Sequence, residues 1–583
     1  MTVSRSTLWL LAASALVLLA FTFDLGGYPL LEPDEGRNAE VAREMAERND
    51  YVLPTLNGLP YLDKPVLYFA VGASVMEVLG PTETAARLPS VLFTLGTLGL
   101  VFWFGMLLTG RLGAWTAAIV TAATPFTLAY ARTVIFDSAL TMWTTLAVCG
   151  FWMAIEGERG ASPAAGGGAG RAVWWTALAW AAMGFGVLTK GPIALALPLL
   201  VAVPYALWRR RGRALLDWVA ALLFLAVVLP WVFAVSRDIP DFLEYALVTE
   251  TARRLTTGEL GRTGPLWYFL VILPAAALPW SIVVIAALLE TRRRARAPGR
   301  RQPTEPRDPR VVFLLIWILV PLLFFTLSQS KRPQYVLPLV PAVGLLVAVL
   351  WHGEAGRLAG ARAGAVALAA IGSFLVAVSG LIPGWVPASA AVAAAIPGTA
   401  LALGAVCLAA GALAWLAASH RGILLLCLSL PVAAIPVVSR GLMDAIGDDR
   451  SALEVARAIE AVAGSSARVI GVEAFPLSLP FYLRHTLLLS TADGSELTSN
   501  YLLRTYRRWR RAPGTPLRPV EWWQEELIAC TPHTVFLTRA DDEAARTLLA
   551  AQLAPLVETR KWVAYGPCSA ERLARLTAGA GRE

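Results

Sequence analysis

The sequence predicts a polytopic α-helical membrane protein of about thirteen spans, with surface helices on its outward face and a C-terminal mixed α/β domain outside the membrane. Three observations lead there. Of the 583 residues, 57% are hydrophobic and only 16% charged, and the mean hydropathy is +0.59, outside the usual soluble range. Apolar runs of about 17 to 25 residues, long enough to cross a hydrocarbon core, recur along the chain. Basic residues gather in alternate short loops between those runs, the pattern that orients helices in a bilayer.

The runs lie near 8–23, 87–108, 113–131, 138–156, 173–190, 192–208, 214–235, 266–289, 311–327, 334–351, 363–383, 389–418 and 422–439. With simple alternation, one side of the membrane receives Arg5, Arg111, Arg159 and Arg171, Arg209 to Arg213, the stretch Arg292–Arg310, Arg357 and Arg362, and Arg421. These loops are expected to be cytoplasmic. The net charge of +9 therefore sets topology, and no nucleic-acid partner is expected. The first run lacks a small-x-small cleavage site and is expected to stay as a helix.

The first outward loop, 24–86, holds eleven acidic residues against Arg37, Arg43, Arg48 and Lys64. Its core, PDEGRNAEVAREMAERND, has Pro33 placed to open a helix and Asp34 and Glu35 in the first turn. This reads as an amphipathic helix over 36–48 lying along the membrane surface, with a second interfacial helix over 65–79. The expected domains are a membrane module, 1–439, that includes loop 24–86, and an extracytoplasmic α/β domain, 440–583. In the latter, SALEVARAIEAVAG reads as a helix, ARVIGVEAF and HTLLLST as strands, and 543–558 as helically periodic. Cys530 and Cys568 lie in this tail, where an oxidising compartment permits a disulfide, with unpaired buried thiols as the alternative.

Charges at outward helix ends are costly to place and mark candidate chemistry. They are Asp34, Glu35, Arg37, Asp63, Lys64, Arg132, Asp137, Lys190, Glu250, Arg253, Arg254, Lys331 and Arg332. Cations from several loops beside two or three carboxylates suit a phosphate-bearing substrate and a polar acceptor. A carboxylate near the reacting carbon can orient or deprotonate a hydroxyl. Blander roles stand beside these: Asp34 as a carboxylate favoured by a helix dipole, Lys64 paired with Asp63, Tyr335 as an interfacial anchor, Lys331 and Arg332 against lipid headgroups.

The strings LEPDEGRNAEVAREM and VLPTLNGLPYLDKPVLYF resemble the aminoarabinose transferase and protein O-mannosyltransferase-like family. These are lipid-carrier-dependent glycosyltransferases of the C superfamily, with the GT-C fold. VIFDSALTMW, GFGVLTKGPIALALPLL, GPLWYFLVILPAAALPW and SQSKRPQYVLPLVPA resemble further segments in order, so that the likeness covers about residues 8–350.

The resemblance implies a polyprenyl-phosphate sugar donor, an acceptor that is a lipid, protein or glycan, and an inverting displacement at the outer face of a bacterial inner membrane. It implies catalytic roles for Asp34, Asp137 and Glu35. Arg37, Tyr61, Asp63, Lys64, Arg254, Lys331 and Tyr335 would bind substrate, Lys64, Arg254 and Tyr335 on the phosphate side. The sequence departs from aminoarabinose transferases at Asp63, where glutamate is usual, at Asn38, where tyrosine is common, and at Thr251, where histidine commonly follows the glutamate. That last change removes a metal-binding pair found in some relatives, so no metal or other cofactor is expected. The competing class is a transporter or flippase of lipid-linked sugars. Against it, the charges gather at one membrane face rather than the midplane.

Overall fold

The computed structural model describes residues 5–157, 168–246, 264–295, 308–352, 358–464 and 466–568. The chain divides into two compact units: one holds the N-terminal residues to Leu25, Arg87–Ala388 and Ala393–Gly441, the other Gly26–Ala86, Ser389–Val392 and Leu442 onward. Loop 24–86, grouped on sequence with the membrane module, falls from Gly26 onward in the unit formed with the tail.

The first unit is helical, as its apolar runs require: in hydrocarbon every backbone N–H and C=O must be paired within the chain. Among the described residues nine helices are long and apolar enough to cross a membrane, or ten if one bent pair counts as a span. Glu83–Ala122 runs for 40 residues and breaks at Gly110 (φ 76°, ψ −174°). At about 1.5 Å per residue, such a length is close to twice a hydrocarbon core of about 30 Å, so it supplies two of the expected runs. Leu8–Thr22 and Ile193–Trp208 are shorter apolar helices at two further expected runs.

One expectation is corrected. The run 266–289 is not a continuous helix: Tyr268–Ala276 and the helix from Trp280 meet at 99°. Pro279 has no N–H to continue the ladder, and the residue before a proline is pushed out of the helical region. The buried indole of Trp280 donates to the carbonyl of Ala123 (3.0 Å), and that of Trp317 to Pro338 (3.1 Å), satisfying carbonyls at broken helix ends.

The second unit centres on a six-stranded sheet. Its strands are β3 (Arg468–Val472), β4 (Leu488–Ser490), β5 (Leu517–Arg518), β6 (Thr534–Arg539), β7 (Pro555–Glu558) and β8 (Trp562–Tyr565), after a small hairpin of β1 (Thr55–Leu56) and β2 (Leu59–Pro60) in the first loop. The order is β5-β4-β3-β6-β8-β7, parallel from β5 to β6 and antiparallel at β8 and β7. All but the last residue of β6 are buried, as expected of a strand covered on both faces. Ile470, Phe536, Val563, Leu527 and Leu549 pack into one core with the disulfide Cys530–Cys568.

The helix Leu453–Ala463 and strands β3 and β4 stand where the sequence placed them. The helical periodicity of 543–558 is realised only to Ala550, since Pro555 opens β7. The expected surface helix is Asp34–Arg48, but ten of its fifteen residues are buried, so it packs into its unit rather than lying exposed. Gly36 is part of the reason: a Cβ there would stand 2.8 Å from Ser478 Cα, Cβ and N. The second expected helix is Leu67–Leu79.

Candidate functional site

In the second unit, the helix starting at Asp34 brings Asp34 and Arg37 onto one face, one turn apart. Arg37 Nη2 donates to Asp34 Oδ1 at 2.5 Å, and the Asp34 side chain keeps 40% of its exposure. Arg37 Nη1 donates to Thr498 Oγ1 at 2.8 Å, and its guanidinium lies 5.8 Å from the centroid of the buried Tyr61 ring. Burial disfavours a charged Arg37, but Tyr61, Asp34 and Asp63 together outweigh it and raise its pKa. The cation is therefore permanent, and it fixes the direction of the Asp34 carboxylate.

Several other acidic residues of this loop are engaged with the fold. Glu35, expected among the catalytic carboxylates, is 3% exposed, and its Oε2 accepts from the Leu31 N–H at 3.0 Å. Asp63, expected to touch substrate, is buried; it accepts from Ser499 Oγ, Asn500 N and Tyr501 N at 3.2, 2.9 and 2.9 Å. It is a cap on the helix Asn500–Trp509. Lys64 beside it is partly buried, its ammonium 2.5 Å from the Asp63 carbonyl. Glu32 Oε1 accepts from Ser478 N and Oγ at 2.9 and 2.8 Å, and burial raises its pKa against those bonds.

Further along the same helix, Arg43 donates to Glu40 at 2.7 and 2.8 Å. Burial nonetheless pushes Glu40 up to about 8, with Arg43 pulling the other way and Glu44 adding to the rise. The amide of Asn57, in the turn between β1 and β2, accepts from the Leu487 N–H (2.7 Å) and donates to its carbonyl (2.9 Å).

In the membrane unit, Asp137 opens the helix Asp137–Glu156. Its carboxylate is 1% exposed and stands 2.5 Å from Lys190 Nζ, which ends the helix Gly168–Lys190. Gly191, at φ +79°, lets the chain turn sharply there. Lys190 also lies 5.5 Å from the centroid of the Tyr335 ring, whose hydroxyl is 3.2 Å from Ser330 Oγ. Tyr335 stacks on Phe269 with centroids 6.2 Å apart. Lys331, expected to bind substrate, is buried and donates to the carbonyls of Phe325 and Thr326 at 3.0 and 2.7 Å, capping the helix Pro309–Leu327. Burial lowers its pKa. Arg132 likewise donates to the carbonyls of Ala20, Phe21, Phe23 and Asp24 at 2.7 to 3.3 Å, at and just past the end of the first helix.

Each unit thus carries its own cluster: Asp34, Arg37 and Tyr61 with Lys64 close by in sequence, and Asp137, Lys190 and Tyr335. Arg254 lies outside the described residues, as do Glu250, Thr251 and Arg253. Among the described residues no three His, Cys, Asp or Glu side chains gather as a metal site. The partners Ser478, Thr498 and Ser499 went unnoticed on sequence. Only Ser499 left a signal, as a serine one residue before a helix with the basic run RRWRR.

A family model described as dolichyl-phosphate-mannose-protein mannosyltransferase matches residues 37–246. The undecaprenyl phosphate-alpha-4-amino-4-deoxy-L-arabinose arabinosyl transferase of Serratia proteamaculans is 30% identical over 343 residues, covering 58% of this chain and 58% of that protein. Its Pseudomonas aeruginosa counterpart is 33% identical over 344 residues, 57% of this chain and 58% of that one. The match therefore spans under two thirds of these relatives' own length. In three dimensions the likeness is broader. The crystal structure of ArnT from Cupriavidus metallidurans bound to undecaprenyl phosphate superposes with a TM-score of 0.81 at 25% identity, over 97% of this chain and 99% of that one. Its apo form superposes with a TM-score of 0.77 at the same identity, over 96% and 98%.

Proposed function

We propose that this chain, which resembles the aminoarabinose transferase and protein O-mannosyltransferase-like family and has the GT-C fold, moves a monosaccharide from a polyprenyl-phosphate carrier to an acceptor at the outer face of a bacterial inner membrane. The observation that carries this reading is the Asp34–Arg37 pair. Among the described residues, Asp34 is the one carboxylate of the named set that is both substantially exposed and held by a fixed cation.

Asp34 receives the acceptor. It orients the attacking hydroxyl and takes its proton as the new bond forms, or only positions the acceptor where that is already a phosphate anion. The carrier phosphate leaves as negative charge grows on it. Lys64 and Arg254 supply the countercharge, with Tyr335 on the phosphate side. Direct attack opposite the leaving phosphate inverts the anomeric centre. Asp137 holds the Lys190 ammonium in place beside Tyr335. Glu35, Asp63 and Lys331 act as positioning residues: each bonds to backbone groups of the fold.

The carrier's isoprenoid tail needs an apolar path. A groove of about 390 Å³ lined by Ala196, Leu199, Leu200, Val203, Pro204 and Phe324 offers one. Its polar lining is negligible, as a hydrocarbon chain requires.

The test uses purified full-length protein and a panel of radiolabelled polyprenyl-phosphate sugars, with crude membrane extract as acceptor. Sugar-dependent release of the free carrier is the expected result. No release from any donor, with transport of a lipid-linked sugar in proteoliposomes, would sink the proposal in favour of a flippase.

A further inference from the structure

The second unit contains a charge cluster that the proposed transfer does not use. Between residues 497 and 520 there are six arginines, at 504, 507, 508, 510, 511 and 518, and no carboxylate. Five of them fall on or just after the helix Asn500–Trp509. Positions 504, 507, 508 and 511 follow the i, i+3, i+4, i+7 spacing of one helical face, and all four are exposed, as is Arg510. The opposite face, Tyr501, Leu502 and Tyr506, is buried in the unit. Leu503, 48% exposed, adds an apolar edge to the cationic face.

The helix is held rather than frayed. Ser499 Oγ and the Asp63 carboxylate take its first N–H groups, and the Tyr506 hydroxyl donates to the Thr491 carbonyl at 2.7 Å. Arg508 lies over the Trp509 ring at 5.2 Å and Arg510 over Tyr506 at 5.7 Å, so two of the guanidinium planes are braced by aromatic rings. Keeping this many like charges together costs self-repulsion, which a partner of opposite sign relieves. Charge bias for topology does not account for them, because that bias counts short loops beside the spans and not a long folded tail.

We propose that this arginine face is a docking surface for anionic phospholipid headgroups of the bilayer that holds the chain. Phosphodiester oxygens match guanidinium donors two at a time. An exposed leucine beside a row of arginines is the composition of a helix that rests at a charged interface. Attraction of this kind follows the anionic lipid content and is screened by salt.

The test compares the full-length protein in nanodiscs of phosphatidylcholine alone with nanodiscs containing phosphatidylglycerol. The rate at which phenylglyoxal modifies Arg507, Arg508 and Arg510 is read by peptide mass spectrometry, with exposed Arg457 on the helix Leu453–Ala463 as the internal reference. Modification of the three is expected to slow on the order of fivefold in phosphatidylglycerol discs, relative to Arg457, and to recover in molar salt. The variant Arg504→Gln, Arg507→Gln, Arg508→Gln, Arg511→Gln keeps Arg510 as reporter, and there the protection is expected to vanish. Equal rates in the two kinds of disc would overturn the proposal. So would protection of Arg510 that persists in the variant, or equal protection by inorganic phosphate in phosphatidylcholine discs, which would assign the surface to a soluble anion.

Discussion

The carboxylate of Asp63 closes the N-terminal end of the helix that begins at Asn500, accepting from the N–H groups of Asn500 and Tyr501 at 2.9 Å each. The two segments are 437 residues apart in sequence. The turn that carries Lys64 is thereby tied to the fold of the tail, and the placement of Lys64 depends on a bond that Lys64 itself does not make.

Asp63→Ala should therefore cost stability as well as activity. Three donors lose their acceptor in a buried place, worth about 1–3 kcal/mol. The melting temperature of the purified protein should fall, and Asp63→Asn, which keeps one acceptor oxygen, should lose less. If Asp63 instead touched substrate directly, donor KM would rise with the melting temperature unchanged.

The Asp137–Lys190 pair is buried at 2.5 Å. Removing either partner takes away this close countercharge, with an expected loss of about 3–5 kcal/mol. Asp137→Asn and Lys190→Met should each destabilise the detergent-solubilised protein, while the double variant should recover much of the loss. Additive losses in a thermal-shift double-mutant cycle would show that the two groups act separately.

Glu40 titrates within a usable range. Its pKa in the fold is pushed up to about 8 from 4.5 by burial. The unfolded chain holds fewer protons than the fold between these values, so the Glu40 contribution is full below about 4.5 and declines as pH rises towards about 8. The melting temperature of wild type minus that of Glu40→Gln should fall across that interval and level off above it. A difference that stays flat with pH would contradict the assignment.

Cys530 and Cys568 close a loop of 38 residues. Chain entropy alone makes such a bond worth about 4 kcal/mol, somewhat less where strain intervenes. Reduction should lower the melting temperature of the oxidised protein. Alkylation without reductant should leave these two thiols unmodified, and their modification would refute the pairing.

What was legible in the sequence follows from the range of the interaction involved. Spans are read from transfer energetics summed over about twenty residues, so thirteen apolar runs could be located, and the Asp34–Arg37 pair follows from a spacing of three on a helix. Hydropathy is blind to direction: 266–289 is as apolar as its neighbours, yet bends by 99° where Pro279 interrupts the ladder. Gly36 is locally one residue of a motif, whereas a Cβ in its place would stand 2.8 Å from Ser478. Lys331 stands among the expected substrate-binding residues, and two of its three ammonium donors go to carbonyls at the end of the preceding helix. These are contacts between distant segments or across a chain reversal, and no local pattern records them.

Whether Asp34, held by Arg37, receives the acceptor is tested most directly by comparing release of free carrier from a productive polyprenyl-phosphate sugar by wild type and by Asp34→Asn. Donor is kept saturating and folding is checked by thermal shift. The expected result is a loss on the order of a hundredfold or more in kcat, with the donor KM and the melting temperature little changed. Equal rates from the two proteins would remove Asp34 from the chemistry and contradict the proposed mechanism at its centre.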